Sequence, residues 1–296
     1  MRISTAYEYQ VYAQNIDSAE QKVFSAQQQE TTGLAINSAS DNPAGAQEML
    51  NMETITDSLN QFEANLSNAK GILTTTDSAL TSINTMMQSA SSLALQASST
   101  TSQAQMSNLA TQVQTLMQQL VAAGNTQGPN GEYLFAGQQT STPPFSVSNG
   151  TLTYAGDGNS IQVAGGPNEQ ITVNVPGSPL FTNAYSALQG LENDLQSGNI
   201  TAISNTDVAN LASSQTAFSQ AQGSLGSQAD QVATLTTYNT QRVEELTSDV
   251  SNIRDVNTAQ AVTNYQAAEN AYQAALSVVG QASNLSLVSY LQSNLS

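Results

Sequence analysis

The sequence predicts a mainly α-helical, elongated chain with a small β insert. Three observations carry that prediction: apolar residues recur at alternating spacings of 3 and 4 at both ends of the chain, Gly, Pro and β-branched residues crowd into one central stretch, and only 9 % of the 296 residues are charged. Alternation of 3 and 4 places apolar side chains on one face of a supercoiling helix, whereas alternation with polar residues places them on one face of a strand.

The first helical stripe is Tyr9, Tyr12, Ile16, Ala19, Val23 and Ala26, and it stops near Thr32-Gly33, where glycine is suited to a helix C-cap. A loop over Leu34 to Ser40 leads to Asp41-Asn42-Pro43, with Asn42 as N-cap and Pro43 in the first turn of a second helix. That helix carries Met52, Ile55, Leu59, Phe62, Leu66, Ala69, Leu73, Thr76, Leu80, Ile83, Met87, Ala90, Ala94 and Ala97, more than six heptads. At 1.5 Å per residue it is roughly 80 Å long, too long for a compact globule of this chain length. After a Ser/Thr turn around residues 98–102, a third stripe from Met106 through Leu109, Val113, Leu116, Leu120 and Ala123 ends at Gly124 and can fold back on the second.

Composition changes over about 128–182, where Gly128-Pro129, Pro143-Pro144, Gly165-Gly166-Pro167 and Pro176-Gly177 fall. Phe145 and Val147, the turn Asn149-Gly150, then Leu152 and Tyr154 read as a hairpin, and Ile171, Val173 and Val175 alternate likewise. Helix resumes with Ala184, Leu188, Leu191 and Leu195. A long stretch over about 206–284 follows, softly interrupted at Gly223 and Gly226, with Val243, Leu246, Val250 and Ile253 and then Ala261, Tyr265, Ala268, Tyr272, Ala275, Val279 and Ala282 in heptads. The two ends carry matching Tyr- and Ala-containing stripes that can pair with each other.

Composition excludes most catalytic designs. With no Cys and no His there is no Ser-His-Asp triad, thiolate, imidazole base, disulfide or ordinary zinc site. The five basic residues, Arg2, Lys22, Lys70, Arg242 and Arg254, all lie outside residues 71–241, against 22 acidic ones, for a net charge of −17. That balance disfavours nucleic acid and anionic lipid, both of which need basic groups to displace counterions. Ser, Thr, Asn and Gln make up 129 of the 296 residues, so the surface is neutral and hydrogen-bonding and does not repel copies of itself. No secretory signal is expected at residues 1–10, and no apolar run reaches the ~18 residues of a membrane span.

Each candidate site has a plainer reading. Glu192 and Asp194 stand two apart on a helix and do not face each other, so they read as solvated surface. Gly156-Asp157-Gly158-Asn159 lacks the spaced carboxylates of a calcium loop and reads as a tight turn, and Gly165-Gly166 lacks the Lys and helix of a phosphate loop. No catalytic residue, cofactor site or metal site is expected. Over residues 44–124 the heptads read as the core of a bundle. The terminal helices, rich in alanine, bury little area as a pair, which points to a subunit that completes its fold in an assembly.

Four segments carry a family resemblance: Met1-Arg2-Ile3-Ser4-Thr5; Thr32-Gly33-Leu34-Ala35-Ile36-Asn37-Ser38-Ala39-Ser40-Asp41-Asn42-Pro43; Asn130-Gly131-Glu132-Tyr133-Leu134-Phe135-Ala136-Gly137 with Pro144-Phe145; and Leu285-Ser286-Leu287-Val288-Ser289-Tyr290-Leu291. In order and over nearly the whole chain they resemble the hook-filament junction proteins of bacterial flagella, the hook-associated protein 3 family, which are relatives of flagellin. The second segment is shared with flagellin; the third and fourth look like the junction proteins. Asn42 stands where the family often has a second Asp.

The resemblance implies an elongated flagellin-like fold: a terminal coiled-coil domain of residues 1–43 with 255–296, a helical bundle of 44–127 with 183–254, and an inserted β-rich tip domain of 128–182. It implies a structural, non-enzymatic subunit joining hook to filament, exported through the flagellar type III channel without a cleaved signal and located outside the cell. Implied partners are further copies of the chain in a ring or helical assembly, a hook-side junction protein, flagellin and an export chaperone. The expected interface residues are Tyr9, Tyr12, Ile16 and Val23, packing against Tyr265, Tyr272, Leu276 and Val279 or neighbouring subunits, with Leu285, Leu287 and Leu291 adding terminal contacts. Leu287→Asp is expected to block assembly, and proteolysis of the isolated subunit to trim both ends first. Two rival readings are a flagellin filament subunit and a secreted adhesin or enzyme with a groove in residues 128–182.

Overall fold

The computed structural model describes the backbone over residues 5–293 and the side chains over residues 7–282. Within it run α1 (Thr5–Thr32), α2 (Pro43–Ser98), α3 (Gln103–Gly124), the hairpin β1 (Phe145–Ser148) and β2 (Thr151–Tyr154), and the hairpin β3 (Gln162–Gly166) and β4 (Glu169–Thr172). Then come α4 (Leu180–Ser197), a short α5 (Ile200–Ala202), a π-helical turn Ile203–Asp207, α6 (Val208–Arg254) and α7 (Thr258–Ser293). The fold is mainly α with a small β insert, as the spacing predicts. By compactness the chain divides into two units, Met1–Asp57 with Val243–Ser296, and Ser58–Arg242.

In the unit of residues 58–242 the predicted stripes become a core. Leu66, Leu73, Leu80, Ile83 and Met87 on α2 are buried in one cluster with Leu109, Val113 and Leu120 on α3, Leu188, Leu191 and Leu195 on α4, and Leu211 and Phe218 on α6. α2 keeps going for 56 residues because no proline interrupts it and its many hydroxyls need no outside partner. Thr74, Thr75, Ser78, Ser82 and Thr85 each donate to the carbonyl four residues back, as does the buried Thr76 to Ile72 at 2.8 Å. This lets Thr76 occupy an apolar heptad position. Gln222 ties α6 to α2 without charge pairing: its Nε2 donates to Asp77 Oδ1 and Thr81 Oγ1, both at 2.9 Å, and its Oε1 accepts from Asn84 Nδ2 at 3.1 Å.

The hairpins close on the helices. β1 and β2 pair antiparallel with Phe145 opposite Tyr154, about the turn Asn149-Gly150, where φ is +51° and +77°. Phe145 and Phe181 lie 4.8 Å apart, Phe135 and Phe181 4.8 Å, and Phe181 and Phe218 5.5 Å, so one ring of α4 joins the insert to α6. Gly124 and Gly177 make room for this knot, since a Cβ at either would come within 2.6 Å of the Phe145 ring. Two amides fix the second hairpin: Asn65 Nδ2 of α2 donates to Ala164 O at 3.1 Å, and Asn239 Nδ2 of α6 to Gly165 O at 3.0 Å.

Three details depart from the expectations. Val147 is exposed although, two residues on, it shares a strand face with the buried Phe145. β4 ends at Thr172, so Val173 and Val175 lie beyond it; Val173 N still donates to Ile161 O at 2.9 Å, and the Asn174 side chain adds to that link by accepting from Ile161 N at 2.7 Å and donating to Asn159 O at 3.0 Å. The long C-terminal helical stretch runs unbroken through Gly223 and Gly226 and breaks at residues 255–257 instead. Nothing crowds either glycine, and a mid-helix glycine costs only about 1 kcal/mol relative to alanine, too little to end a packed helix. Among the described residues no helix is long and apolar enough to cross a membrane.

Candidate functional site

The unit formed by both chain ends is held by backbone bonds between residues 32–36 and 254–256. Gly33 ends α1 with φ +72°, and its carbonyl accepts from Val256 N at 2.9 Å. Arg254 O accepts from Ala35 N at 2.6 Å, and Leu34 and Asp255 form an antiparallel bridge. The Arg254 carbonyl at the end of α6 is thereby satisfied by a strand-like segment from the other end of the chain, which lets the helix stop there. Asn257 restarts it, its Oδ1 accepting from Ala259 N at 3.1 Å and Gln260 N at 3.3 Å. Hydrophobic spacing carries no record of this break, although Asn257 was its available signal.

The segment from Thr32 to Pro43 now has a physical account. Thr32 Oγ1 accepts from Leu34 N, Asn37 Nδ2 donates to Leu34 O, and Ile36 is buried. The Asp41 carboxylate accepts from Ser38 N at 2.8 Å, Asn37 N at 3.0 Å and Ser38 Oγ at 3.1 Å, bonds that hold its pKa below the ordinary carboxylate value. Asn42 caps α2 as expected, with its Oδ1 on Gly45 N at 3.0 Å. Gly45 gives room there, since a Cβ would fall 2.7 Å from Asn42 Nδ2 and 2.9 Å from Ile36 Cδ1, and both side chains would have to shift.

From this clasp α1 and α7 run antiparallel and pack on each other. Tyr12, Ile16 and Val23 on α1 and Tyr265, Tyr272 and Val279 on α7 are half-buried along that pair, and Ala26 and Ala261 are buried near the clasp. Tyr9 and Leu276 are each 43 % exposed, so the pair does not take them in. Phe24, 67 % exposed, and Val278 stand out from the same two helices, and neither lies on the predicted stripes. Ile55 is exposed too, although it lies on the α2 stripe. Leu285, Leu287 and Leu291 lie outside the residues whose side chains are described, as does the opening segment Met1 to Ser4. A groove of about 490 Å³ in the same unit is walled by Ala46, Met49, Leu50, Leu246 and Val250, with Glu53 and Arg254 beside them.

The motif Asn130–Gly137 serves the interior of the other unit. Leu134, Phe135 and Ala136 are buried; Phe135 O accepts from Tyr154 OH and Gly177 N, and Ala136 O from Asp157 N. Gly137 has φ +67°, and a Cβ there would sit 2.0 Å from Asp157 Oδ1. The Gly156-Asp157-Gly158-Asn159 stretch is a turn whose carboxylate is taken up by Gln138 N at 2.8 Å and Asn159 N at 3.1 Å. Among the described residues, no group of three His, Cys, Asp or Glu is placed to hold a metal ion.

Two family models match the sequence: the bacterial flagellin N-terminal helical region over residues 3–140 and the bacterial flagellin C-terminal helical region over residues 208–291. The chain belongs to the bacterial flagellin family. It is a structural member of that family, not an enzyme. Flagellin-type folds that resemble it include a Vibrio parahaemolyticus protein assigned to the flagellar hook-associated proteins, at 17 % identity and TM-score 0.68 over 73 % of this chain and 100 % of the other. The flagellar junction protein FlgL from Legionella pneumophila matches at 13 % identity and TM-score 0.60, over 70 % and 99 % of the two chains. FlgL from Bacillus cereus matches at 20 % identity and TM-score 0.57, over 71 % and 100 %. A comparison with curated proteins gives no match.

Proposed function

We propose that this flagellin-family chain is the subunit that joins hook to filament and assembles through its two terminal helices. The observation that carries the reading is the exposed apolar surface of α1 and α7, where Tyr9, Phe24, Leu276 and Val278 stay exposed despite the pairing. Helices with few buried residues between them gain stability when neighbouring copies cover that surface. Likeness of fold to the Legionella pneumophila junction protein supports the junction over the filament, as does the resemblance of Asn130–Gly137 and Leu285–Leu291 to junction proteins. In this reading the terminal segments form an inner coiled-coil layer, the bundle surrounds it and the β insert lies outermost. Partners are further copies of the chain, a hook-side junction protein and flagellin. The chain leaves the cell through the flagellar type III channel, its C-terminal helix held beforehand by a chaperone. The absence of cysteine suits that route, since no disulfide forms before threading.

Electron microscopy of a strain lacking the gene, with flagellin assayed in the medium, tests this. Bare hooks with flagellin accumulating outside are the expected result. Bare hooks without external flagellin would identify the chain as the filament subunit.

A further inference from the structure

The corner between α4 and α6 holds an acid that packing does not explain. Asp207, the last residue of the π-helical turn, is 2 % exposed, and its Oδ2 has no hydrogen-bond partner. Its carboxyl lies against Gly190 of α4, where a Cβ would stand 3.2 Å from Oδ1. The elements that meet there bury Leu191, Leu195, Ile203 and Leu211 in the core. An ionised carboxylate in such a place ordinarily requires a cation, yet the chain has no Lys, Arg or His between Lys70 and Arg242. We propose that Asp207 keeps its proton in the fold, beside Asp194 of α4, and that loss of this proton loosens the α4–α6 corner as the medium turns from mildly acidic to neutral.

The surroundings identify which groups take part. On α4 the titratable residues nearby are Asp194 and Glu192. Asp194 Oδ1 already accepts from Asn199 Nδ2 at 3.2 Å, and Glu192 Oε1 from Gln196 Nε2 at 3.1 Å. The end of α2 reaches the π-helical turn through Ser204 Oγ and Ser98 Oγ, but no acidic or basic residue lies between Asp77 and Glu132, which covers the rest of α2 and all of α3. α5 and the π-helical turn carry no other acid or base, and the next acid along α6 is Asp230, about 35 Å away at 1.5 Å per residue. Asp194 is therefore the titratable neighbour of Asp207, and the protonated Asp207 carboxyl donates its hydrogen bond to it. Burial, then the Asp194 charge, then the hydrogen bond to Asp194 push the Asp207 pKa up to about 6.

An acid that ionises near pH 4 in the unfolded chain and near 6 in the fold binds more protons when folded across that interval. Stability then falls as pH rises through it and levels off above about 7. Asp207→Asn imitates the protonated form, since its amide can donate to Asp194. For the full chain, the wild-type unfolding constant relative to Asp207→Asn should rise by roughly 10- to 100-fold between pH 4 and pH 7, measured by urea titration at several pH values. Carbon-13 carboxyl NMR of the wild type should show Asp207 titrating well above pH 5, and Asp194→Asn should move that midpoint down. A ratio that stays constant over this range, an Asp207 midpoint near 4, or a midpoint indifferent to Asp194→Asn would overturn the proposal. The NMR titration decides the matter even where Asp207→Asn does not fold.

Discussion

The bundle of residues 58–242 and the α1–α7 pair are written in the same alternation of 3 and 4, yet they end in different states. On α2 the stripe from Leu66 to Ala97 is buried throughout, because α3, α4, α6 and both hairpins surround it. On α1 and α7 the equivalent residues are half-buried, because each helix has the other and little else along the seam. A heptad stripe thus states which face seeks burial; the number of neighbours states whether it obtains it. In the bundle the stripe is core. In the terminal pair it is a contact that leaves much of each side chain uncovered.

The sharpest way to break this comparison is to charge the leftover surface. Leu276→Asp should leave folding of the isolated subunit almost unchanged, since the side chain is already exposed, while abolishing incorporation into flagella. Burial of a leucine in an assembly contributes about 1.5–3 kcal/mol per copy, and a carboxylate reverses that. Normal incorporation would remove α7 from the interface.

Truncating the bundle core should do the opposite. Phe181→Ala empties a fully buried site that touches three other rings, and a loss of about 3–5 kcal/mol is expected by urea unfolding. Hydrogen exchange should report the loss in α2, α4 and α6 more than in α1 and α7. Equal loss at both would mean that the two units do not differ in their dependence on this core.

A smaller gain is expected at the exposed glycines of α6. Gly223→Ala and Gly226→Ala meet no neighbour, and each should stabilise the chain by about 0.5–1 kcal/mol through helix propensity and a less free unfolded chain. A thermal melt that shows no gain would mean that the helix is not continuous there.

The smallest effect concerns the clasp. Asp41 is held below its ordinary pKa by backbone and hydroxyl donors, so what it contributes is present above the unfolded pKa near 3.8 and is lost as pH falls through its lower folded value. Asp41→Asn should flatten the acid limb of the end unit's stability. An unchanged limb would show that the Asn37 and Ser38 bonds are made equally well by an amide.

Much of the fold was legible because helix periodicity and turn residues act locally. The burial of Leu80, Ile83 and Met87, the cap at Asn42, the end of α3 at Gly124 and the turn at Asn149-Gly150 each follow from a few neighbouring residues. The break at 255–257 left no mark in the hydrophobic spacing, because the backbone partner that ends α6 lies some 220 positions earlier in the chain. Among the candidate interface residues, spacing marked the seam of Tyr12, Ile16, Val23, Tyr265, Tyr272 and Val279, but it passed over Phe24 and Val278, which lie off any stripe. Asp194 was read as solvated surface, and only the folded chain brings a buried Asp207 beside it.

By itself, then, the sequence determined the class of the molecule: helices from heptads, hairpins from alternation and turns, and a composition without His or Cys that removes the commoner catalytic designs. Tertiary structure decided which stripes become core and which remain half-covered, where α6 yields to α7, and which acid loses its solvent. Those outcomes depend on elements far apart in the chain meeting in space, and burial is a property of that meeting rather than of any residue alone.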